Sequence, residues 1–448
     1  MTKDMTSGSP ARLILRFTIP LIFGNLFQQF YSMVDTIIVG RFLGKESLAA
    51  VGSTGSINFL IIGFCLGLCS GFAIPVSQQF GAKNFAEMKK YIGNTIWLTI
   101  WSSVLFTVAT VLLCRPMLEW MNTPSDIIEE AYWYIVVIFA GIPAIFLYNV
   151  QAALLRALGD SRTPVVFLVI ASFLNIALDL LLIVVIPMGV VGAAVATVLS
   201  QLLSGVACFV FIVKKFPALH ISRQDLHIDT GYLTRLCSIG IPMGLQFSIT
   251  AIGSIILQTS VNALGSGIVA AVTAAGRLYS LFACAFDALG VAMSTYGGQN
   301  IGARKVERLS PGLRAAMIIG SIYSVFSLLV IWLLGKPLLT LFVEATEVEI
   351  INSAYLFMMI NVAFFIPLAG VNIFRLMIQG MGYSKMAVFA GVSEMTARGV
   401  VGAWLVPALG YIAACFASPI AWIMADLFLI PAYYAIVHHL KKWGTTVS

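Results

Sequence analysis

Two aspartates lie where a soluble enzyme would not keep them. Asp35 falls inside the apolar run FYSMVDTIIVG and Asp179 inside FLNIALDLLLI, with Asn175 four residues before it. On a helix that spacing places Asn175 and Asp179 on one face. Thr197 falls near the middle of the next apolar run. Carboxylate, amide and hydroxyl oxygens are what a hard cation such as Na+ takes as ligands. Two carboxylates in one pocket also suit a proton, because close approach penalises double ionisation. The set therefore serves Na+ or H+ equally well. A lone buried Asp can instead cap a helix break or pair with Arg. Here no Lys or Arg lies in the middle of any apolar span of the first half. Four polar groups without a basic partner point to a bound or exchangeable cation.

The elements that must hold these groups follow from composition. Of 448 residues, 60% are apolar and 10% charged, against roughly 25% charged in an ordinary soluble domain. That excess must face lipid. Apolar runs long enough for a ~30 Å hydrocarbon core fall at about 16–39, 48–76, 91–114, 129–155, 163–186, 190–213, 233–261, 268–297, 313–335, 350–379, 386–407 and 411–438. The expected fold is all-α and integral to the membrane, with twelve transmembrane helices. An ionisable group at the bilayer centre costs at least ~2.5–3.5 kcal/mol, so each one inside a span needs a reason.

Basic residues set the orientation. Twenty Lys and Arg, Arg375 among them, fall at the N-terminus and in the even-numbered connectors; only Arg41, Lys45, Arg115 and Lys336 fall opposite. By the positive-inside rule both termini are expected in the cytoplasm. The net charge of +7 then reflects anchoring to an anionic membrane surface. It does not indicate nucleic acid, since no basic stripe with interleaved aromatics exists. No HExxH or GxSxG motif suggests an enzyme, and no P-loop suggests an ATP-driven pump. The seven cysteines lie in or beside apolar runs without a zinc-ligand pattern. No resident cofactor or metal is expected beyond a coupling Na+.

The two halves repeat. IPLIFGNLFQQ opens the first span and IPMGLQ the seventh. Leu43-Gly44 before Ala49-Ala50-Val51 recurs as Leu264-Gly265 before Ala270-Ala271-Val272. Gln78, Gly81, Ala82 and Lys83 match Gln299, Gly302, Ala303 and Arg304, and Gly159, Ser161 and Arg162 match Gly382, Ser384 and Lys385. With six spans each, the copies share one membrane orientation, as in transporters built from parallel repeats. The expected division is a six-helix lobe at 1–213, a cytoplasmic connector at 214–235 and a second lobe at 236–448.

The second half carries different charges. Arg277 and Asp287 are ten residues apart, too far to pair, whereas Glu394 and Arg398 have the four-residue spacing of a helical ion pair. Asp287 and Asp426 are open between lining a cavity, capping a break and pairing with Arg277. Pro20 interrupts the first span and predicts a bend there. Gln28, Met33, Gln246, Gln258, Asn262 and Met293 are candidates to line a cavity for flat apolar cations, with Asp287 in reserve.

Taken in order, Pro20 with Asp35, VGRFLGKESLAAVG, SQQFGAKN, LRALGDSRTP, NIALD and GAAVAT resemble a prokaryotic multidrug and toxic compound extrusion (MATE) transporter. The likeness runs over nearly the whole chain. It implies two pseudo-symmetric six-helix bundles, the N- and C-lobes, around a central V-shaped cavity. It further implies export driven by Na+ or H+ entry and a cation site in the N-lobe. The site residues it carries over are Asp35, Asn175, Asp179 and Thr197, with Tyr134 and Asn149 as further polar members and Pro20 as the bend of the first helix. A C-lobe site of carboxylates in the seventh and tenth helices, present in some members, has no counterpart here. The expected function is therefore antiport of amphipathic organic cations against Na+ or H+ by a monomer in a bacterial or archaeal cytoplasmic membrane. The alternative is a flippase for lipid-linked oligosaccharide of the same superfamily, which would need basic groups in the cavity; only Arg277 and Arg398 offer them.

Overall fold

The computed structural model describes residues 3–446, and among them there is no strand. The first half comprises α1 (Pro10–Phe42), α2 (Lys45–Ser53), α3 (Gly55–Gly81), α4 (Phe85–Trp120), α5 (Ile128–Ala140), α6 (Ile142–Ala157), α7 (Arg162–Asp179) and α8 (Val190–Lys215). The second comprises α9 (Thr230–Asn262), α10 (Ser266–Gly302), α11 (Leu309–Leu339), α12 (Val348–Ala363), α13 (Phe365–Gly380), α14 (Ser384–Val400), α15 (Val406–Leu409) and α16 (Tyr411–Thr446). Nine helices among the described residues are long and apolar enough to cross a membrane, and two bent pairs bring the number to eleven. The remaining expected span, 386–407, is α14 continued through a π-helical stretch, Val401–Leu405, into α15. Large apolar side chains stay uncovered along these helices, Leu112 at 73% and Leu427 at 65% among them, as lipid-facing surface requires.

Where the expected spans are not single straight helices, the local chemistry explains it. The run 48–76 divides at Thr54, where the Ser53 and Thr54 hydroxyls donate to the carbonyls of Ala50 and Val51 at 2.7 Å each and compete with the helical ladder. The pair α5 and α6 bends by 47°, and α12 and α13 by 52°; Pro143 and Pro367, just past each break, cannot continue the ladder. A π-helical stretch, Leu180–Val185, follows α7 directly, matching the one after α14.

The duplication is written in the backbone as well. Left-handed residues occur in matched pairs: Gly44 and Gly265 (φ 93° and 103°), Gly159 and Gly382 (78° and 92°), Gly189 and Gly410 (64° and 66°). Lys83 and Arg304 both have φ 57°, a conformation rare for non-glycine residues. Chance likeness between apolar sequences would not place these turns in register.

Contacts divide the chain into two compact units. One holds the residues up to Asp4 with Phe23–Gly244; the other holds Met5–Ile22 with the chain from Leu245 onward. The division differs from the expected boundary at 214–235. It falls inside α1 and α9, in each case two residues past a proline, Pro20 and Pro242.

The connector belongs to the first unit because α4 holds it. Asn94 donates its amide to the carbonyls of Lys90 (3.0 Å) and His227 (3.2 Å) and accepts from the Asp229 N–H (3.1 Å). The Trp97 indole donates to Leu226 O at 2.9 Å. Gly93 gives the connector room, since a Cβ there would lie 1.9 Å from Asp225 O. Within the connector the Ser222 N–H and hydroxyl both donate to Asp225 at 2.7 Å, which holds its carboxyl below the usual carboxylate range. Asn94→Ala strands these backbone groups, at about 1–3 kcal/mol. Tryptic cleavage at exposed Arg223 is expected to accelerate; an unchanged cleavage rate would mean that the clasp does not hold the connector.

Two GxxxG motifs face each other in the same unit. A Cβ at Gly67 would lie 2.6 Å from Gly244 Cα, and one at Gly71 2.4 Å from Gly240 Cα. The α3 and α9 backbones thus touch, as small-residue helix crossings in membranes do. Gly71→Val should lower the thermal unfolding midpoint in detergent, by an overpacking cost of about 1–3 kcal/mol. A midpoint equal to wild type would show that the crossing separates freely.

Candidate cation site

The first unit brings Asp35 and Asp179 together. Contacts along α1 and α7 prepare the meeting: Gly24 leaves space for Val165, whose Cγ2 would lie 2.8 Å from a Cβ at Gly24, and Phe27 packs on Phe173 with ring centroids 6.3 Å apart. Further along, the two carboxyls hydrogen-bond each other. Two carboxyls so close penalise double ionisation. Asp179 is fully buried, and the Oδ1 atoms of both aspartates are enclosed without a hydrogen-bond partner.

Asp179 ends α7 immediately before the π-helical stretch, a local irregularity common at functional sites. On the far side of that stretch α8 comes close, because a Cβ at Gly192 would lie 2.8 Å from Leu182 O. Gly141, at the break between α5 and α6, similarly admits Val198, whose Cγ2 would lie 2.2 Å from a Cβ there. These approaches set Thr197 beside α7. Asn175 then links the two: with its amide turned to satisfy both neighbours, it donates to Asp179 Oδ2 and accepts from the Thr197 N–H, each at 3.3 Å. The Thr197 hydroxyl donates to Ala193 O at 3.1 Å, and its lone pairs remain as acceptor.

Tyr134, on α5, lies in the electrostatic reach of both carboxyls, as does Tyr31. Tyr31 escaped the sequence reading, although it stands one helical turn before Asp35 and shares its face. Asn149 is not drawn in by hydrogen bonding: its amide donates to Ile145 O, on its own helix, at 2.8 Å. The oxygens of Asp35, Asp179, Asn175 and Thr197, with the tyrosine phenols beside them, form a compact acceptor set in the membrane part of one unit. It has the chemistry to take one proton or one small hard cation.

The proposed cavity side chains have diverse placements. Gln28, Gln258 and Asn262 are exposed, Met33 is half-buried, and Gln258 donates to Asn262 at 2.8 Å. Asp287 is exposed on α10. Gln246 and Met293 are buried, contrary to a cavity lining. The cause for Gln246 is its partner, since its Oε1 accepts from Gln379 Nε2 at 3.0 Å; Met293 fills the interior of α10's packed face.

Arg375 also departs from expectation. Counted among the cytoplasmic connectors, it is instead 7% exposed near the end of α13 and ion-paired with Glu394 of α14. Glu394 pairs with Arg398 as well, at 3.5 Å, as their spacing predicted. A buried acid on a neighbouring helix is what draws Arg375 inward, and no run of sequence announces that.

The MatE family profile matches residues 20–181 and 242–405, one copy in each half. The chain is 31% identical to the probable multidrug resistance protein YpnP of Bacillus subtilis (strain 168) over 370 residues, 82% of each chain. It is 28% identical to the probable multidrug resistance protein YoeA of the same organism over 463 residues, 99% of this chain and 97% of that one. A crystal structure of MATE in complex with MaL6 shares the fold at a TM-score of 0.91, with 24% identity over 99% of this chain and 100% of the other. With a profile match in both halves and relatives aligned over most of its length, this multi-pass membrane protein belongs to the MatE family of multidrug efflux transporters.

Proposed function

We propose that the protein is a secondary active antiporter that exports amphipathic organic cations against Na+ or H+ by alternating access. The observation that carries this reading is the Asp35–Asp179 contact: two carboxyls inside the membrane, hydrogen-bonded to each other, with no cationic side chain in the group. Such a pair is tolerated in lipid when a proton or metal cation neutralises it. The incoming ion binds Asp35 and Asp179, with Asn175 and Thr197 completing the ligand set. Its charge changes what α1 can pair with on α7. Pro20 has no N–H to give the α1 ladder, so the helix is weakest just before it changes unit. Ion and drug need only prefer different states for their fluxes to be coupled. The proposed setting is the cytoplasmic membrane with both termini inside, as the basic connectors favour.

The flippase reading is weaker. A lipid-linked pyrophosphate needs exposed cationic groups, and of the two arginines open to that role Arg398 is buried against Glu394. The test is ethidium efflux from proteoliposomes under a Na+ gradient and a pH gradient imposed separately. Efflux under one gradient alone supports antiport and names the ion. No efflux under either, with translocation of a labelled lipid-linked sugar, would replace this reading with the flippase.

A further inference from the structure

The short run before α1 is buried without being helical. Met5 is 1% exposed and Thr6 3%, and neither lies in a helix. Buried backbone outside a helix must find its hydrogen bonds elsewhere. Here side chains of the second unit supply them. Met5 N–H donates to Gln299 Oε1 at 2.8 Å, and Met5 O accepts from Asn300 Nδ2 at 3.2 Å. Thr6 O accepts from Lys305 Nζ and Gly8 O from Arg308 Nη2, each at 2.8 Å. Arg308 Nε also donates to Asn300 Oδ1 at 3.1 Å, which turns the Asn300 amide toward Met5. Gln299 and Asn300 are fully buried near the end of α10. The chain then turns at left-handed Arg304, where Lys305 N–H donates to Asn300 O at 2.9 Å, and this brings Lys305 and Arg308 back alongside.

The first unit treats the start of α9 in the same way. The duplication matches Gln78 with Gln299, and at that offset Glu87 matches Arg308. Arg308 holds Gly8, two residues before α1; Glu87 accepts from the Tyr232 hydroxyl at 2.6 Å, in the first turn of α9. Each of these two helices therefore begins gripped in one unit and, past its proline, continues in the other. Pro10 and Asp35 are 25 residues apart, about 38 Å along a straight helix, so the grip on α1 acts without touching the coupling ion. It fixes the far end of the helix that carries Asp35. A helix with a loose start would slide when Asp35 is drawn to or released from Asp179. A helix with a fixed start must bend, and Pro20 is where its ladder is weakest. We propose that Gln299, Asn300 and Arg308 are positioning residues of transport, which hold the entry to α1 on the second unit so that ion binding at Asp35 is delivered there through α1. This role rests on the antiport reading, whose coupling it supplies with a second anchor.

Amide hydrogen exchange and ethidium efflux, read on the same proteoliposomes of the full chain, test it. In Arg308→Ala the peptide carrying Met5–Gly8 should exchange about tenfold faster, because one lost charge-assisted hydrogen bond eases its local opening. The maximal efflux rate should fall about tenfold, while the half-saturating ethidium concentration and the unfolding midpoint stay as in wild type. Arg308→Lys keeps a donor for Gly8 O and should restore both exchange and rate. Fast exchange with efflux at the wild-type rate overturns the proposal and leaves antiport standing. Exchange as slow as in wild type shows that Arg308 does not grip the segment, and overturns it too. Wild-type vesicles that empty under neither gradient overturn the antiport reading and this role with it. If Arg308→Ala is not monodisperse, Gln299→Ala, which removes the acceptor of Met5 N–H, decides by the same two readouts.

Discussion

Proteoliposomes carrying Asp35→Asn are expected to retain ethidium under the gradient that empties wild-type vesicles, with efflux below about one-tenth of the wild-type rate. The loss follows from the site's geometry. An ion held between Asp35 and Asp179 gains charge-assisted contacts worth about 1.5–3 kcal/mol each, and every ~1.4 kcal/mol is tenfold in affinity. Asparagine keeps the shape and can still donate to Asp179, so the variant should elute and unfold as wild type does. Asp179→Asn should fail equally, because either carboxylate alone leaves half of the ion's charge partners. Efflux at the wild-type rate in Asp35→Asn would remove the pair from the coupling mechanism. Loss of efflux accompanied by a collapsed unfolding midpoint would instead make the contact structural.

The largest effect on stability is expected at Glu394. Glu394→Ala leaves Arg375 and Arg398 buried beside each other without their shared acid. Breaking a buried pair from one side typically costs about 3–5 kcal/mol, since a desolvated charge is left uncompensated. The thermal midpoint in detergent should fall well below that of Gly71→Val, and the yield of monodisperse protein should fall with it. Glu394→Gln should cost less, because the amide oxygen still accepts a hydrogen bond. Equal midpoints for Glu394→Ala and wild type would mean that the arginines reach water. The same physics argues that the cluster is kept for something other than stability, as apolar residues of matching volume often serve as well.

Much was legible in the residues alone. Apolar run length gave the helices, because a bilayer leaves the backbone no other partner than itself. Buried carboxylates without cations marked Asp35 and Asp179, and the four-residue step from Asn175 to Asp179 marked a shared face. The duplication was readable as matched glycines, and it returns as matched left-handed turns. Tertiary structure decided what depends on which helices meet. That Asp35 touches Asp179, 144 positions away in the sequence, rests on glycine approaches and a π-helical stretch that no local pattern encodes. Gln246 looked like a cavity residue until Gln379 arrived from another helix to occupy it. Arg375 looked cytoplasmic because a charge near the end of an apolar run usually is; Glu394 on the next helix brings it inside. Periodicity and composition report what each helix can present to its surroundings. Pairing between helices is a property of packing, and that is where the buried charges of this protein find, or lack, their partners.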